Sequence, residues 1–497
     1  MISLILFGII LPVVGFIFES YPRFIKREFG VDIWTHLLYL KEYHRQKGIP
    51  KKIENGFLVT GTYDYPPVFI EILSKFPYKL VERYEFIFSP FFDFLHIILI
   101  FFFSYIFTQS ILISLTVQLL YILTPIIVIE NSSATPRSLG YTLFTLVMVS
   151  LFMYAFYGQL LYLFIAFISG SLIFLTHRFT TQGFLFFSLF FSIIQHNIIY
   201  ILTFILCFMS AIILSKGFYL EVLKGHLGNL KFWYKNIKYR FAHQVRGNYK
   251  KHKTKDFVFS AYNQFLKFPP FVLAITNPWT IPPLLLYILT LYLKISFSPI
   301  IDYMVLWVVF SYVLSLLTIW IPKLRFLGEG QRYLELSAYP AALISSMFLF
   351  NLLRTGLSFY ALIIYTTIGV LAFLTIVVIQ RKAIIKEKLR ALTPDLKRMF
   401  SFLKGMKNKP KLLCIPHQIT TNTIYHTGCK VFVNADYKNI EKISDVYPYI
   451  KKPISQIMKN YSLDMILLNS DYAKIEDLKL NKYKIIKQIG NFYLIKP

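Results

Sequence analysis

Apolar segments of nearly membrane-spanning length recur along most of this 497-residue chain. Hydrophobic residues make up 56% of it and aromatic residues 18%. Runs of roughly 20 apolar residues match the thickness of a bilayer core and predict membrane-spanning helices, here about eleven. We read the first run as a retained helix, because it lacks the basic start and small-residue cleavage site of a signal peptide. The predicted spans are Ile2–Phe18, Phe91–Phe107, Ile111–Ile129, Leu139–Tyr157, Leu160–Leu175, Phe179–Ile194, Ile198–Leu214, Phe271–Leu293, Pro299–Ile321, Ala338–Leu353 and Leu357–Ile379.

The formal net charge of +28 must lie in the polar loops, because hydrocarbon does not accommodate it. Basic loops face anionic head groups or phosphorylated substrates, so the expected partners are membrane lipid and phosphate-bearing molecules rather than nucleic acid. The long polar stretches are a first large loop at 19–90, a basic loop at 215–270, and everything after Gln380. Even numbers of predicted helices separate them, so all three lie on one face of the membrane.

The chain after residue 410 changes character. Short β-rich runs such as "KLLCIP", "CKVFVN" and "DMILLN" alternate with helix-like segments, and a hairpin is predicted around Gly490–Asn491. This alternation predicts a small α/β domain. The predicted organisation is a membrane-embedded domain at 1–380, a basic linker at 381–410 and a soluble α/β domain at 411–497.

Acidic residues are scarce, and two stretches of the first large loop place them conspicuously. Asp32 and His36 are four residues apart, so a helix beginning near Val31 presents both on one face. Such a pair can act as a base with its orienting partner, or can bind a metal. The alternative interpretation makes Asp32 a helix N-cap and His36 an interfacial residue. Asp64 stands just before Pro66–Pro67, which stiffens the turn into the next helix.

These stretches, "G-x-D-x-W-x-H … G-I-P … Y-P-P" directly after the first membrane helix, resemble the membrane-embedded glycosyltransferases of the GT-C superfamily. That superfamily includes oligosaccharyltransferases, protein O-mannosyltransferases and lipid A aminoarabinose transferases. The resemblance implies a GT-C-like fold and makes Asp32, His36 and Asp64 the candidate catalytic residues. Asp32 would be the base or, alternatively, a metal ligand.

Three shorter motifs on the same face extend the resemblance. "ENSSATPRSLGYTLF" is similar to an oligosaccharyltransferase stretch in its Arg137 and Gly140, although Tyr141 and Thr142 stand where that family has acidic residues. "LTHRF" and "GEGQRYLELSAYP" supply further arginines, and the second resembles an E-x-x-R-Y segment. Arginine suits a phosphate because its planar fork stays charged and binds oxygens in pairs. The candidate donor-phosphate residues are Arg332, Arg137 and Arg178, with Glu130, His177, Glu329, Tyr333 and Glu335 in support.

The resemblance implies transfer of a sugar from a polyprenyl (dolichyl or undecaprenyl) phosphate donor, with inversion, to a glycan, lipid or protein acceptor. It places an integral membrane protein in the plasma membrane or an equivalent membrane, with an extracytoplasmic active site. The bias of basic residues favours the opposite orientation. Diphosphate donors imply a divalent cation, Mg²⁺ or Mn²⁺, whereas the acids missing after Arg137 favour a monophosphate donor and no cofactor.

Two other classes remain open from the sequence. A polytopic transporter or lipid-linked-sugar flippase has a similar number of helices and similar loops, but is expected to carry ionisable residues near mid-membrane and an internal repeat. Neither is evident in the sequence. A scaffold that keeps the fold without activity is the other.

Overall fold

The computed structural model describes residues 2–132, 134–240, 242–248, 267–293, 299–479 and 483–496. Its helices in chain order are α1 Ile2–Ile25, α2 Asp32–Gln46, α3 Val68–Ser74, α4 Tyr78–Thr108, α5 Ile111–Ile122, α6 Pro125–Asn131, α7 Arg137–Tyr157, α8 Leu160–Thr176, α9 Arg178–Ile194, α10 Ile199–Leu214, α11 Phe218–Lys235, α12 Pro269–Thr276, α13 Ile281–Leu293, α14 Pro299–Trp320, α15 Ala338–Leu352, α16 Ser358–Gln380, α17 Pro394–Gly405, α18 Thr420–Thr427 and α19 Ile454–Asn460. Its strands are β1 Phe57–Val59, β2 Ala242–His243, β3 Gly247–Asn248, β4 Lys411–Ile415, β5 Lys430–Asn434, β6 Met465–Asn469, β7 Lys484–Ile489 and β8 Phe492–Lys496.

The predicted membrane spans are present as helices. Within the described ranges, six helices are long and apolar enough to cross a membrane, or nine spans if each of three bent helix pairs counts as one, and α8 and α9 are shorter apolar helices. Together these segments correspond one to one with the predicted runs. The predicted class, a polytopic helical membrane protein with a small C-terminal α/β domain, is confirmed.

Prolines account for two of the bends. The α5–α6 pair bends by 61° where Pro125 begins the second helix, and the α12–α13 pair bends by 106° at Pro278. Proline has no backbone N–H and clashes with the preceding turn, so it starts a helix easily and continues one poorly. The broken or re-entrant spans that the short apolar runs predicted therefore have a local cause.

The chain packs into two compact units. The membrane unit comprises Met1–Ile25, Phe86–Tyr219 and Ala261–Ile385. The sheet unit comprises Lys26–Glu85, Leu220–Ser260 and Lys386–Pro497. Packing thus groups the first large loop and much of the basic loop with the C-terminal segment, whereas the boundaries predicted from the sequence follow the linear order of the chain. Residues 241 and 249–266 of the basic loop lie outside the described residues.

The sheet unit contains a six-stranded sheet in the order β1-β5-β4-β6-β8-β7. The pairs from β1 to β6 are parallel, and β8 and β7 are antiparallel. Its core is built from alternate strand residues such as Leu413, Phe432 and Leu468, packed against Phe232 of α11. The last two strands form the hairpin predicted around Gly490–Asn491, where Gly490 has a φ of +54° suited to a tight hairpin turn.

One edge strand of this sheet comes from the first large loop. β1 pairs with β5, with Phe57 opposite Val431 and Val59 opposite Asn434. The backbone N–H of Val431 donates to Gly56 O at 2.8 Å, and that of Ala435 donates to Val59 O at 3.0 Å. The first loop is therefore part of the same folded body as the C-terminal segment, which its position in the sequence did not indicate.

Candidate active site

In the sheet unit, helix α2 positions the candidate base. Its side chains are buried over most of its surface, and Tyr39 Oη donates to Ala435 O at 3.0 Å. Thr421 Oγ1 donates to Val31 O at 3.3 Å, which holds the start of the helix against α18. These contacts fix the first turn of α2, and with it Asp32.

Asp32 is the first residue of α2 and its side chain is exposed. The N-cap position is occupied by Val31, whose side chain has no oxygen to cap the helix, so Asp32 is not the cap itself. No described residue forms a hydrogen bond or ion pair with the Asp32 carboxylate. A carboxylate at this end of a helix is favoured by the helix dipole. Asp32 is thus held in place by its backbone while its oxygens stay accessible.

His36 is buried one turn further along α2. Its ring packs edge-on against Tyr65 and Phe69, with centroid distances of 5.7 and 5.4 Å. Burial lowers the pKa of His36, and the nearby charge of Asp32 partly opposes that shift. The imidazole is therefore neutral at pH 7 and its ring supports the loop. Among the described residues, no hydrogen bond joins this ring to Asp32.

Asp64 is in a different environment from Asp32, although both belong to the first large loop. It is buried, and its Oδ2 accepts hydrogen bonds from the backbone N–H groups of Tyr437 at 2.8 Å and Lys438 at 3.0 Å. A carboxylate that accepts two backbone donors anchors the chain. Asp64 therefore ties the first loop to the segment after β5.

In the membrane unit, charged residues collect around the 3₁₀ segment Gly330–Ser337 that precedes α15. Arg137, the first residue of α7, forms an ion pair with Glu130 of α6, and its Nη1 lies 4.0 Å from Glu335 Oε1. The Glu335 carboxylate is buried, and neither of its oxygens has a hydrogen-bond partner among the described residues. Arg332 pairs with Glu329 at 2.6 Å. Two arginines are thus set among three carboxylates.

Two glycines allow this segment and its neighbours to approach closely. A Cβ on Gly140 of α7 would lie 2.7 Å from Thr180 Oγ1 of α9. A Cβ on Gly330 would lie 2.7 Å from the backbone oxygen of Ser315 in α14. Real Cβ atoms do not come so near, so any larger residue would push the elements apart. Gly140, which matched the oligosaccharyltransferase motif, therefore has a packing role.

The start of α9 contributes the remaining candidates of the membrane unit. His177 Nδ1 and Thr180 Oγ1 are 2.8 Å apart, and both His177 and Arg178 are buried. Tyr333 is buried too, and its Oη accepts a hydrogen bond from Gln182 Nε2 at 2.5 Å. Tyr333 thereby connects the 3₁₀ segment to α9.

The sequence-predicted residues thus fall into two groups. The membrane unit holds Glu130, Arg137, His177, Arg178, Glu329, Arg332, Tyr333 and Glu335, and the sheet unit holds Asp32, His36 and Asp64. In the first group the charges are buried or half-buried, and Arg137 and Arg332 are paired with carboxylates. In the second, Asp32 is the solvent-accessible acid.

A buried polar network in the membrane unit was missed by the sequence reasoning. Tyr121 Oη donates to Asp93 Oδ1 at 2.8 Å and lies 3.0 Å from His96 Nδ1. Asn131 Nδ2 donates to Glu19 Oε1 at 3.2 Å, and both Glu19 and Asp93 are buried. The available signal was Asp93 and His96 inside the apolar run Phe91–Phe107, because ionisable residues in a span are costly and usually functional.

The same geometry shows whether these side chains could act as ligands of a metal ion. Among the described residues no group of three His, Cys, Asp or Glu side chains converges to hold a metal ion. The His36 ring packs against aromatic residues, and Asp64 is occupied by backbone donors. The described residues around Asp32 therefore do not form a metal site on their own.

The fold and these residues define an integral membrane protein with two groups of ionisable side chains. No protein-family model matches the sequence, and no sequence of a curated protein matches it. Solved structures do match. The oligosaccharyltransferase AglB from Archaeoglobus fulgidus, in complex with an inhibitory peptide and a dolichol-phosphate, overlays with a TM-score of 0.59 and 10% identity, over 93% of this chain and 69% of that one.

A second structure of the Archaeoglobus fulgidus enzyme, in complex with Zn and sulfate, overlays with a TM-score of 0.57 and 10% identity, over 92% of this chain and 68% of that one. ArnT from Cupriavidus metallidurans bound to undecaprenyl phosphate overlays with a TM-score of 0.42 and 9% identity, over 98% and 97%, and so weak an overlay supports no conclusion. The AglB likeness confirms the expected GT-C fold. At 10% identity it concerns the fold alone.

Proposed function

We propose that this chain is a membrane glycosyltransferase that moves a sugar from a polyprenyl phosphate-linked donor to an extracytoplasmic acceptor. The observation that carries the proposal is the arrangement of Arg137 and Arg332 at the 3₁₀ segment Gly330–Ser337. Planar guanidinium groups held by carboxylates at the end of membrane helices suit a phosphate whose lipid tail stays in the bilayer. The AglB structure in complex with a dolichol-phosphate gives further support.

In the proposed mechanism Asp32 is the general base. Its exposed carboxylate accepts the proton of an acceptor hydroxyl, whose oxygen attacks the anomeric carbon from the side opposite the phosphate. The bond between that carbon and the phosphate oxygen breaks, which inverts the anomeric centre. The leaving phosphate keeps the electron pair, and Arg332, Arg137 and Arg178 stabilise its charge.

The remaining supporting residues position these groups. Glu329 and Glu130 orient the Arg332 and Arg137 guanidinium groups, and Tyr333 fixes the 3₁₀ segment through Gln182. If the donor is a diphosphate, the proposal includes a bound divalent cation. The Archaeoglobus fulgidus oligosaccharyltransferase has been crystallised in complex with Zn. Hexosyl and pentosyl donors are both compatible with these residues.

The proposal is tested with the purified full chain. Lipid extracts containing polyprenyl-phosphate sugars are incubated with the wild-type protein or with the Asp32→Asn variant as a control, with and without added Mg²⁺ or Mn²⁺. Mass spectrometry measures the amount of each sugar donor that remains. We expect a sugar-bearing donor to be consumed and free polyprenyl phosphate or diphosphate to appear only with the wild-type chain. Equal donor loss with both proteins, or none with either under any cation condition, would contradict the proposal.

A flippase for lipid-linked sugars is the second candidate, because Glu19 and Asp93 of the membrane unit are buried ionisable residues of the kind that a transporter needs. Reconstitution into liposomes with a fluorescent polyprenyl-phosphate lipid separates the two. Movement of the label between leaflets without cleavage would favour the flippase. Chemical transfer without such movement favours the transferase.

A further inference from the structure

An apolar groove lies on the membrane unit, away from the charged group described above. It has a volume of about 180 Å³ and is lined by side chains that include Trp279, Leu285, Phe348, Leu352, Ala361 and Ile364. These belong to the bent α12–α13 pair, α15 and α16. The hydroxyl of Tyr365, at its wall, donates to Ser345 O at 2.8 Å, and Ser345 Oγ donates to Trp279 O at 2.8 Å. The hydroxyl groups of Tyr365 and Ser345 therefore already have hydrogen-bond partners, and the groove presents apolar surface to a ligand.

The size and setting of the groove suit a hydrocarbon chain. Apolar cavities of about 150 Å³ stay dry and accept a benzene molecule, so this groove holds a comparable segment of an alkyl chain. Only 11% of the apolar stretch of α16 is buried within the protein, so most of this helix faces the bilayer and the groove opens to it. Moving a chain from lipid into an apolar groove gains little hydrophobic energy. Selective occupancy therefore has to come from packing and from the head group.

The turn that joins two helices of the groove carries a cation. Leu352 and Ala361 line it from the two sides of the short turn between α15 and α16, and this turn carries the exposed Arg354. Phe359 and Tyr360 follow at 68% and 63% exposure, as expected of aromatic residues at a membrane interface. A basic side chain near a membrane surface attracts an anionic head group by about 1 kcal/mol.

This end of the groove is far from the candidate donor site. The 3₁₀ segment with Arg332 precedes the first residue of α15, whereas Leu352 is its last, and α15 has 15 residues. At 1.5 Å per residue the two ends are separated by roughly 22 Å, most of a bilayer core. A phosphate at Arg354 thus belongs to a lipid of the opposite leaflet, not to a donor held by Arg332.

We propose that the groove binds one acyl chain of an anionic phospholipid, with the head-group phosphate against Arg354. The site would keep a structural lipid at the end of the membrane unit opposite Arg332. It does not depend on the proposed transfer reaction, because none of its residues belongs to the candidate active site.

Native mass spectrometry of the intact, detergent-purified chain tests the site with phosphatidylglycerol and phosphatidylcholine of matched acyl chains. The wild-type protein should retain phosphatidylglycerol in preference. Arg354→Gln should reduce that preference about fivefold, the equivalent of about 1 kcal/mol, and Ala361→Phe should reduce retention of both lipids by filling the groove. The controls are Arg381→Gln, at the other end of α16, and Leu362→Phe, which places the same side chain outside the groove; both should behave as wild type.

Equal retention of the two lipids by the wild type would overturn the proposal, as would unchanged binding in Ala361→Phe. Undecaprenyl phosphate is added as a competitor. If it displaces phosphatidylglycerol from the wild type but not from Arg332→Ala, the groove belongs to the donor's tail and the proposal is wrong. Retention that persists beside the competitor supports it. Thermal melting of each variant identifies those that have lost the fold, and a smaller filler, Ala361→Leu, then replaces Ala361→Phe.

Discussion

The two groups of candidate residues differ in how far their charged side chains are buried. In the membrane unit Glu335 is buried, lacks a hydrogen-bond partner among the described residues and lies 4.0 Å from Arg137. In the sheet unit Asp32 is exposed on the first turn of a helix that is otherwise mostly buried. A charge removed from water must be paired with an opposite charge. The paired charges of the membrane unit therefore suit the binding of a charged ligand in a fixed position. A solvated carboxylate can exchange protons, which favours acid–base chemistry.

The largest expected effect tests the solvated carboxylate. Asp32→Asn should lower turnover of a polyprenyl-phosphate sugar by roughly 10²–10⁴-fold, as expected for loss of a general base, and should leave binding of polyprenyl phosphate within about twofold. The matched control is Asp395→Asn, which changes another acid in the first turn of a helix of the same unit. Turnover near the wild-type level in purified Asp32→Asn would return Asp32 to a structural role.

The buried acid of the same loop should respond in the opposite manner. Asp64→Ala removes the acceptor of two backbone N–H groups, and we expect it to destabilise the sheet unit by about 2–4 kcal/mol. Asp64→Asn should cost less, because its carbonyl oxygen still accepts. Pulse proteolysis of the intact protein in a urea series measures the change. The comparison between the two acids fails if Asp32→Asn destabilises the unit as much as Asp64→Ala does.

The contrast between these two acids shows which structural features could be predicted from the sequence and which could not. The apolar runs predicted the positions of the apolar helices, since a run of about 20 apolar residues is a local property of the sequence. The strand pattern likewise predicted β4 to β8. Pairing of β1 with β5 joins residues more than 370 positions apart. No local pattern carries that information.

The candidate site was predictable to the same extent. Residue type and spacing singled out Asp32, Arg137 and Arg332, but exposure of Asp32 and burial of Asp64 depend on where α2 and the 60–64 segment pack. The β1–β5 pairing also changes the design of experiments. Truncation after Lys409 would remove β5 and with it the partner of β1, so it would also disturb the loop that carries Asp32. Point substitutions are the sharper test.

The charged group of the membrane unit is tested at Arg332. Arg332→Ala should weaken binding of polyprenyl phosphate by roughly 10–100-fold, because one charge-assisted contact to phosphate is lost. Arg332→Lys should restore little of it, since a lysine keeps the charge but not the planar pair of donors. Lys323→Ala, an exposed cation nearby in the chain, serves as the control and should bind normally. Full rescue by lysine would show that a diffuse positive field is sufficient.

The smallest effect concerns a histidine of the sheet unit. Burial lowers the pKa of His417 to about 4, against about 6.5 in an unfolded chain. Between these values the unfolded state binds the proton and the folded state does not, so stability falls as the pH falls from about 6.5 towards 4. The partly buried ring packs against Tyr447 at 4.5 Å, and after allowing for its exposure we expect His417→Gln to remove about 1–2 kcal/mol of that pH-dependent loss. Pulse proteolysis in urea at pH 6.5 and 4.5 gives the loss for each protein. An equal loss in wild type and variant would place the pH dependence elsewhere, with His36 as the next residue to change, because burial lowers its pKa too.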